Sequence, residues 1–338
     1  MKTPVFLLGA GFDRDARQCA VRATVAHMDI GPCKFGCDYP LADGLARLCF
    51  GEEPSSHSGT VEEMFAEAIA GNDREPLKKL YKALMKADNY IVPRLLPGGD
   101  NQDNPYATFF QRFRECQFLT FNYDSLAELF LLHSGTWRPQ DGYGVAVEAG
   151  LVPAADSACQ CRRSKARVLH LHGCLCLYTW GWDTERRPGS DVQRLVPRQT
   201  PLYVFDPGAI AYLFSPYTRA PQRTPYIQVE DRVVPPVPNK ATVLEQSFTE
   251  AVHDLAKGFL ESCSRLVAIG YSFNQLDRAS YEHLLDALSQ SREALAVVVC
   301  PDAAALTRRL AKNYPRIHWE AYDDTFERWA NASFPGSA

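Results

Sequence analysis

The sequence predicts an α/β protein with a parallel sheet covered by helices on both faces. Three observations indicate this class. Short stretches such as VFLL and ALAVVV are apolar throughout, as strands buried on both faces are. They alternate with segments of helical apolar spacing. The 338 residues, 46% of them hydrophobic, suffice for a full core in one large domain or two modest ones.

The first half of the chain is expected to carry three sheet strands and a helical insertion. A glycine turn, GAG, ends the first strand, and Thr60 with Glu63 fits a capping box in the insertion. Ser125 with Glu128 fits a second one. Strands are expected at 4–8, 116–122 and 167–172, helices at 14–28 and 125–133, and the insertion at 31–115.

The second half is expected to hold an irregular segment rich in proline and arginine, followed by a βαβ unit. We expect this segment, 178–240, to be a lid or contact surface. Helices are expected at 248–263 and 277–288, and strands at 265–272 and 294–299. We treat 1–338 as one domain, with a first βα unit at 1–30, strands of the site within 116–177 and the last unit at 241–338.

Composition excludes some classes of protein. The net charge of −4 and the pI of about 6.1 argue against direct nucleic-acid binding. No stretch approaches 18 continuous apolar residues, so no membrane span is expected. The N-terminal segment reads as the first strand rather than as a signal peptide, and a cytoplasmic protein is expected.

The 11 cysteines do not follow a familiar metal-binding pattern. Cys33 and Cys37 stand four apart and Cys159 and Cys161 two apart, so neither pair has the C-x-x-C spacing of a zinc ribbon. Whether these four cysteines bind a metal stays open, and no metal is expected as a cofactor. The pattern HGCLCL is typical of one face of a strand.

Four strands end in small or polar residues, in LLGAGFD, FLTFNYD, VLHLHG and LVAIGYS. Parallel strands bring such ends together at one edge of a sheet, where ligands bind. Gly9 and Gly11 let backbone N–H groups approach a phosphate, and Gly270 with Ser272 offers a similar turn. Ordinary tight turns explain the glycines about as well. Capping likewise explains Asn122 and Asp124.

Two histidines alternate in HLHG, so His170 and His172 are expected to share one face of the strand. His172 stands at the strand end, whereas His170 lies earlier and is expected to be buried. A histidine can take a proton from a ribose hydroxyl or a water near neutral pH. The amide of Asn122 can hold a water or a carboxamide without titrating. Together these groups suit cleavage of a glycosidic bond to a good leaving group.

The motifs GAGFD, TFNYDSL, LHG and GYSFNQLD resemble, in order and rough spacing, the sirtuin-like domains of bacterial anti-phage defence proteins. The resemblance spans residues 5 to about 305 and implies a Rossmann-like fold that hydrolyses NAD to nicotinamide and ADP-ribose. It implies that Asn122 and His172 are the catalytic pair. The NAD-binding residues that it implies are Gly9, Ala10, Gly11, Phe12, Asp13, Asp124, Gly270, Ser272 and Asp302.

Two departures and two alternatives accompany the resemblance. Phe12 and Asp13 stand where many members carry a small residue and serine, and Asp13 would either repel the pyrophosphate or face ribose hydroxyls. The zinc ribbon of protein-deacetylating sirtuins does not occur in the sequence. The alternatives are a non-catalytic module that binds NAD or ADP-ribose, and a protein deacylase or ADP-ribosyltransferase.

The resemblance also implies regulation, since a defence NADase must stay inactive until infection triggers it. With 338 residues there is little room for a large sensor domain. We therefore expect activation by homo-oligomer assembly or by a separate partner such as a helicase-like ATPase. The trigger and the choice between NAD and NADP are left open.

Overall fold

The computed structural model describes residues 3–16, 42–51, 60–71, 73, 75–77, 79–80, 104–144, 147–149, 163–180, 183–186, 193–196, 202–204, 229–233 and 247–333. Its strands are β1 (Val5–Leu8), β2 (Gln117–Thr120), β3 (Val147–Ala149), β4 (Arg167–His170), β5 (Gly173–Trp180), β6 (Asp183–Arg186), β7 (Gln193–Val196), β8 (Leu202–Val204), β9 (Val229–Val233), β10 (Leu266–Ile269), β11 (Leu295–Val299) and β12 (His318–Tyr322).

Helices separate and follow these strands along the chain, and the main ones are numbered in chain order. They are α1 (residues 10–16), α2 (Ala42–Phe50), α3 (Val61–Ala70), α4 (Pro105–Arg112), α5 (Leu126–His133), α6 (Pro139–Gly142), α7 (Ser247–Ser262), α8 (Arg278–Ser289), α9 (Ala303–Asn313) and α10 (Phe326–Ser333). Within the described part of the chain, no helix combines the length and the apolar character that a membrane crossing needs.

Six parallel strands form the main sheet, in the order β12-β11-β10-β1-β2-β4. This is the doubly wound order of dinucleotide-binding sheets, whose connections reverse direction between β1 and β10. In such a sheet a crevice opens beyond the carboxyl ends of the two strands at the reversal. The predicted fold class, a Rossmann-like α/β sheet with helices on both faces, is confirmed.

Two separate hydrophobic cores cover the two faces of this sheet. The alternate residues Phe6 and Leu8 of β1 join one core, and Val5 and Leu7 join the other. The first core is packed by α1, α4, α5 and α10, and the second by α7, α8 and α9. Because both faces are buried, β1 is apolar at all four positions, which is the pattern that predicted it.

A second, mixed sheet of four strands has the order β3-β8-β5-β9, and β6 pairs with β7 as an antiparallel hairpin. The prediction of an irregular segment over 178–240 is therefore wrong where the structure describes it, at β6 to β9 and the end of β5. Charged residues such as those of DTER mask the apolar alternation on which strand prediction depends.

One of the two predicted capping boxes is confirmed. Thr60 and Glu63 bond each other's backbone N–H groups at the start of α3. Ser125 makes no side-chain cap bond, so the box predicted for Ser125 and Glu128 is wrong. Asp124 supplies a turn bond instead, because its Oδ1 accepts the N–H of Leu126 at 3.1 Å.

Glycines allow β1 and β10 to approach closely at their carboxyl ends. Gly9 and Gly11 donate N–H bonds of 2.9 Å to the carbonyls of Ile269 and Gly270. A Cβ on Gly270 would lie 2.1 Å from the Phe12 nitrogen, and its φ of +63° is left-handed. Each side of this contact needs a residue without a side chain.

Gly270→Ala is expected to destabilise the fold by roughly 2–4 kcal/mol, because left-handed strain and overpacking add. Gly258→Ala is the matched control, since a Cβ there meets nothing within 4 Å and Gly258 lies inside helix α7. The control should gain roughly 0.5–1 kcal/mol. Urea unfolding measures both variants, and equal midpoints for Gly270→Ala and the wild type would contradict the account.

Candidate active site

Asn122 lies just beyond β2, and a hydrogen bond to Thr120, the last residue of that strand, fixes its backbone. Its N–H donates to Thr120 Oγ1 at 3.0 Å. The Thr120 hydroxyl in turn donates to the carbonyl of Leu8 at the end of β1, at 3.1 Å. The position of Asn122 is thus tied to both β1 and β2. The polar residue that follows this strand is therefore positioned by hydrogen bonds to the sheet.

The Asn122 side chain bonds to Asp13, which lies in the first turn of α1. Nδ2 of Asn122 donates to Oδ2 of Asp13, and both residues are buried. Of the two amide atoms only the nitrogen donates, and this hydrogen bond runs from Nδ2 to a carboxyl oxygen, so the nitrogen faces Asp13. The amide oxygen, Oδ1, therefore points away from Asp13 and is oriented as an acceptor. The sequence placed both residues at the site but did not predict this pairing.

His172 follows the end of β4, the strand that pairs with β2. Thr120 pairs with His170 in the β2–β4 register, and each candidate residue follows two positions later in its chain. The His172 ring packs against Phe121, with centroids 4.7 Å apart, and Phe121 stacks on Tyr271. His172 Nε2 lies 3.0 Å from Ser280 Oγ. These contacts hold the imidazole at the carboxyl edge of the sheet.

Ser280 is a site residue that sequence reasoning missed. It is fully buried in α8, where the same helix stripe carries Leu284 and Leu288. A small polar residue in an apolar stripe at spacings of four is the signal that would have found it. Because a buried hydroxyl needs a partner, Ser280 restricts the orientation of His172.

His170 lies in a different environment from His172, so the predicted shared face is wrong. Its Nδ1 lies 2.9 Å from the Asn122 carbonyl, and its Nε2 lies 2.5 Å from Glu128 Oε1 on α5. The strand ends at His170, so the alternation does not continue to His172. His172 instead contacts α8, on the opposite face. The expected burial of His170 is observed.

The imidazole of His170 is protonated at neutral pH. Burial lowers its pKa, but Cys174, Glu128 and the carbonyl of Asn122 more than offset this and raise the pKa to about 10. Both ring nitrogens face oxygen acceptors, as a doubly protonated ring requires. The His170–Glu128 pair therefore also contacts the backbone of Asn122, through the hydrogen bond from Nδ1 to the Asn122 carbonyl.

Glu128, His170 and Cys174 bring potential metal-ligand atoms within 4.8 Å of one another. The 2.5 Å between His170 Nε2 and Glu128 Oε1 is shorter than the roughly 3.3 Å that separates two ligands of a tetrahedral zinc ion. A shared proton fits this contact better than a metal. The predicted candidates Cys33, Cys37, Cys159 and Cys161 lie outside the described residues.

A second histidine pair supports the chain next to His172. His253 Nε2 lies 2.9 Å from the Leu171 carbonyl, and its Nδ1 lies 2.6 Å from His283 Nε2. Burial and the neighbouring His283 lower the pKa of His253 to about 4. At neutral pH the neutral ring donates to Leu171 and so joins α7 to the end of β4.

The glycine turn is used mainly for packing between strands. The N–H groups of Gly9, Gly11 and Phe12 all bond to carbonyls of the protein. The Phe12 side chain is fully buried among Tyr106 and Phe326, so it lies in the core and not at a ligand. Pyrophosphate binding by this turn stays a prediction.

The remaining predicted residues lie along the same carboxyl edge. Gly270 and Ser272 follow β10, and Asp302 follows β11, the next strand in the sheet. Ser272 and Asp302 are exposed, whereas Asp124 is buried and occupied in its turn bond to Leu126. The predicted residues therefore lie along the carboxyl edge of the main sheet. Asn122, Asp13 and His172 are among those that are buried.

Comparisons with solved structures return Sir2 homologues. A triple mutant of a Sir2 homologue in complex with 2′-O-acetyl ADP ribose matches at 15% identity and a TM-score of 0.46, covering 98% of this chain and 90% of the other. A Sir2 homologue–NAD complex matches at 15% identity and 0.42, covering 98% and 87%. No protein-family model and no curated protein sequence matches the chain. With these low scores, function is inferred from the site residues instead.

The free energy of unfolding is expected to fall as the pH rises from about 6.5 towards 10. His170 binds its proton more tightly in the folded state, where its pKa is about 10 instead of 6.5. Its stabilising contribution is complete below pH 6.5 and is lost through this window. Urea unfolding across the window should show a shallower fall for His170→Gln. The exposed His318→Gln is the control, and a slope unchanged in His170→Gln would contradict the assignment.

Proposed function

We propose that this protein hydrolyses NAD, cleaving the bond between nicotinamide and ribose to give nicotinamide and ADP-ribose. The observation that carries the proposal is that Asn122 and His172 each follow by two residues a paired position, Thr120 and His170, at the ends of the adjacent strands β2 and β4. Each is fixed by a specific partner, Asp13 for Asn122 and Ser280 for His172. The site is thus organised around these two side chains.

The chemistry of the bond fits what this pair offers. Loss of nicotinamide leaves an oxocarbenium-like centre at C1′ of the ribose, as in glycosidic cleavage in general. Asn122 Oδ1, turned away from Asp13, accepts a hydrogen bond from the attacking water or a ribose hydroxyl. His172 takes a proton from a ribose hydroxyl or from water as general base. Neither role requires a metal ion.

NAD as the substrate is supported by the strand order and by the motifs. The reversal between β1 and β10 is where doubly wound sheets bind dinucleotides. The sequence motifs around Gly9, Asn122, His172 and Gly270 resemble those of sirtuin-like NAD hydrolases, and all four lie at this carboxyl edge. Fold likeness alone does not specify a reaction, so the site residues carry the weight.

We further propose that the protein acts in anti-phage defence and is held inactive until it assembles or meets a partner. The support is the resemblance of the motifs, together with the cost to a cell of unrestrained NAD hydrolysis. Activation by self-assembly makes the rate per protein molecule rise with protein concentration. Activation by a partner leaves that rate low until the partner is added.

Asn122→Ala and His172→Ala should each lower nicotinamide release from NAD by roughly 10²–10⁴-fold, because each removes a group that acts on the reacting bond. Release is measured by chromatography at low and high protein concentration. Asn331→Ala and His318→Ala are matched controls at exposed positions and should keep wild-type rates.

Release that survives both site substitutions in folded protein would refute the proposed site. Calorimetric binding of NAD without release, at every protein concentration, would favour the alternative of a non-catalytic binding module. Release together with transfer to an added peptide would favour the transferase alternative.

Ser280→Ala is expected to lower kcat roughly tenfold, because His172 loses the hydrogen bond that orients it. The KM for NAD should change little. The double variant Ser280→Ala/His172→Ala should be no slower than His172→Ala alone, since both changes act through one imidazole. Additive losses in the double variant would show that Ser280 acts independently of His172.

A further inference from the structure

Three hydrogen bonds hold Asn122, and each joins it to a different element. Its N–H donates to Thr120 on β2, and its side-chain amide donates to Asp13 on α1. Its carbonyl accepts a hydrogen bond from Nδ1 of His170 on β4, at 2.9 Å. Because a carbonyl only accepts, Nδ1 must carry the proton of this bond. The third bond is thus the one that reaches the strand leading to His172.

A backbone bond and a side-chain bond join the endings of β2 and β4. The N–H of Leu171 donates to the Thr120 carbonyl at 2.9 Å, which is two residues short of Asn122. Within the described part of the chain, the bond from His170 is therefore the one that holds the Asn122 backbone against β4. His172 follows His170 by two residues, so this bond constrains the distance between the two proposed catalytic residues.

We propose that His170 is a positioning residue, which holds the carbonyl of Asn122 through Nδ1 and so sets the position of the Asn122 amide relative to His172. This inference rests on the proposed NAD hydrolysis, in which Asn122 and His172 act at the nicotinamide ribose. His170 acts through Asn122 and not on the reacting bond.

Glu128 fixes the ring of His170 from the other side. Its Oε1 lies 2.5 Å from His170 Nε2, and both side chains are buried. The imidazole cannot turn without breaking one of its two contacts. A buried ion pair often stabilises a fold no better than well-packed apolar side chains of similar volume. Stability alone therefore does not account for this pair, whereas a need to hold the Asn122 carbonyl in one position does.

Two substitutions separate the contacts of the His170 ring. In His170→Asn the amide nitrogen lies near the place of Nδ1 and still donates to the Asn122 carbonyl. In His170→Gln the amide nitrogen lies near the place of Nε2 and points to position 128 instead. Both are made together with Glu128→Gln, so that no buried carboxylate loses its partner. Glu128→Gln alone is the reference, and His318→Asn is a control at an exposed position.

The kcat and KM for nicotinamide release are measured under conditions where the wild type is active, and rates are referred to the folded fraction from urea unfolding. The His170→Asn variant should keep kcat within about threefold of the reference, whereas the His170→Gln variant should lose roughly 10-fold to 10²-fold because Asn122 is misplaced. KM should change by less than about threefold in both, because neither contact reaches NAD. His318→Asn should keep wild-type values.

Equal kcat values in the two variants overturn the inference, since a purely structural role would affect both alike. A loss of kcat in the His170→Asn variant, or a loss carried by KM, overturns it too. In these cases the wild type still hydrolyses NAD, so the proposed function stands. A wild type that releases no nicotinamide under any condition refutes the proposed function, and the positioning role of His170 with it.

Discussion

Gly11 donates its N–H to the Gly270 carbonyl, and this bond joins the endings of β1 and β10 where the strand order reverses. The contact leaves no room for a Cβ on Gly9, Gly11 or Gly270. Since Gly11 lies in the first turn of α1, the contact also ties the start of this helix, and with it Asp13, to the end of β10. The bond between Asp13 and Asn122 then ties this turn to the end of β2. A substitution that disturbs the contact between these glycines is therefore expected to shift Asp13 and Asn122 as well.

Buried polar groups at the carboxyl edge bond one another in pairs, each pair joining two elements. Asn122 bonds Asp13, His172 bonds Ser280, and His170 bonds Glu128. A buried polar group without a partner lowers the stability of the fold. Each of these hydrogen-bonded pairs is therefore expected to keep its geometry in the folded protein. The His170 pair differs from the other two, because it contacts the Asn122 backbone and supports the site without belonging to its chemistry.

The sequence predicted the main sheet well because strands buried on both faces are apolar throughout, and β1 and β11 are clear examples. It did not predict β12, which lies at the sheet edge and is half exposed, so its residues are mixed. Candidate residues at strand ends were found because parallel strands align their carboxyl ends. The stripe of α8 marks Ser280 as a buried polar residue, but its pairing with His172 was missed because no local pattern encodes a contact between residues 108 positions apart.

The central claim is that NAD lies with its nicotinamide ribose between Asn122 and His172. A crystal structure of the inactive Asn122→Ala protein with NAD tests this most directly. The account predicts density for the nicotinamide ribose between His172 and position 122. Nicotinamide ribose bound elsewhere, or crystals without NAD at saturating concentration, would contradict it.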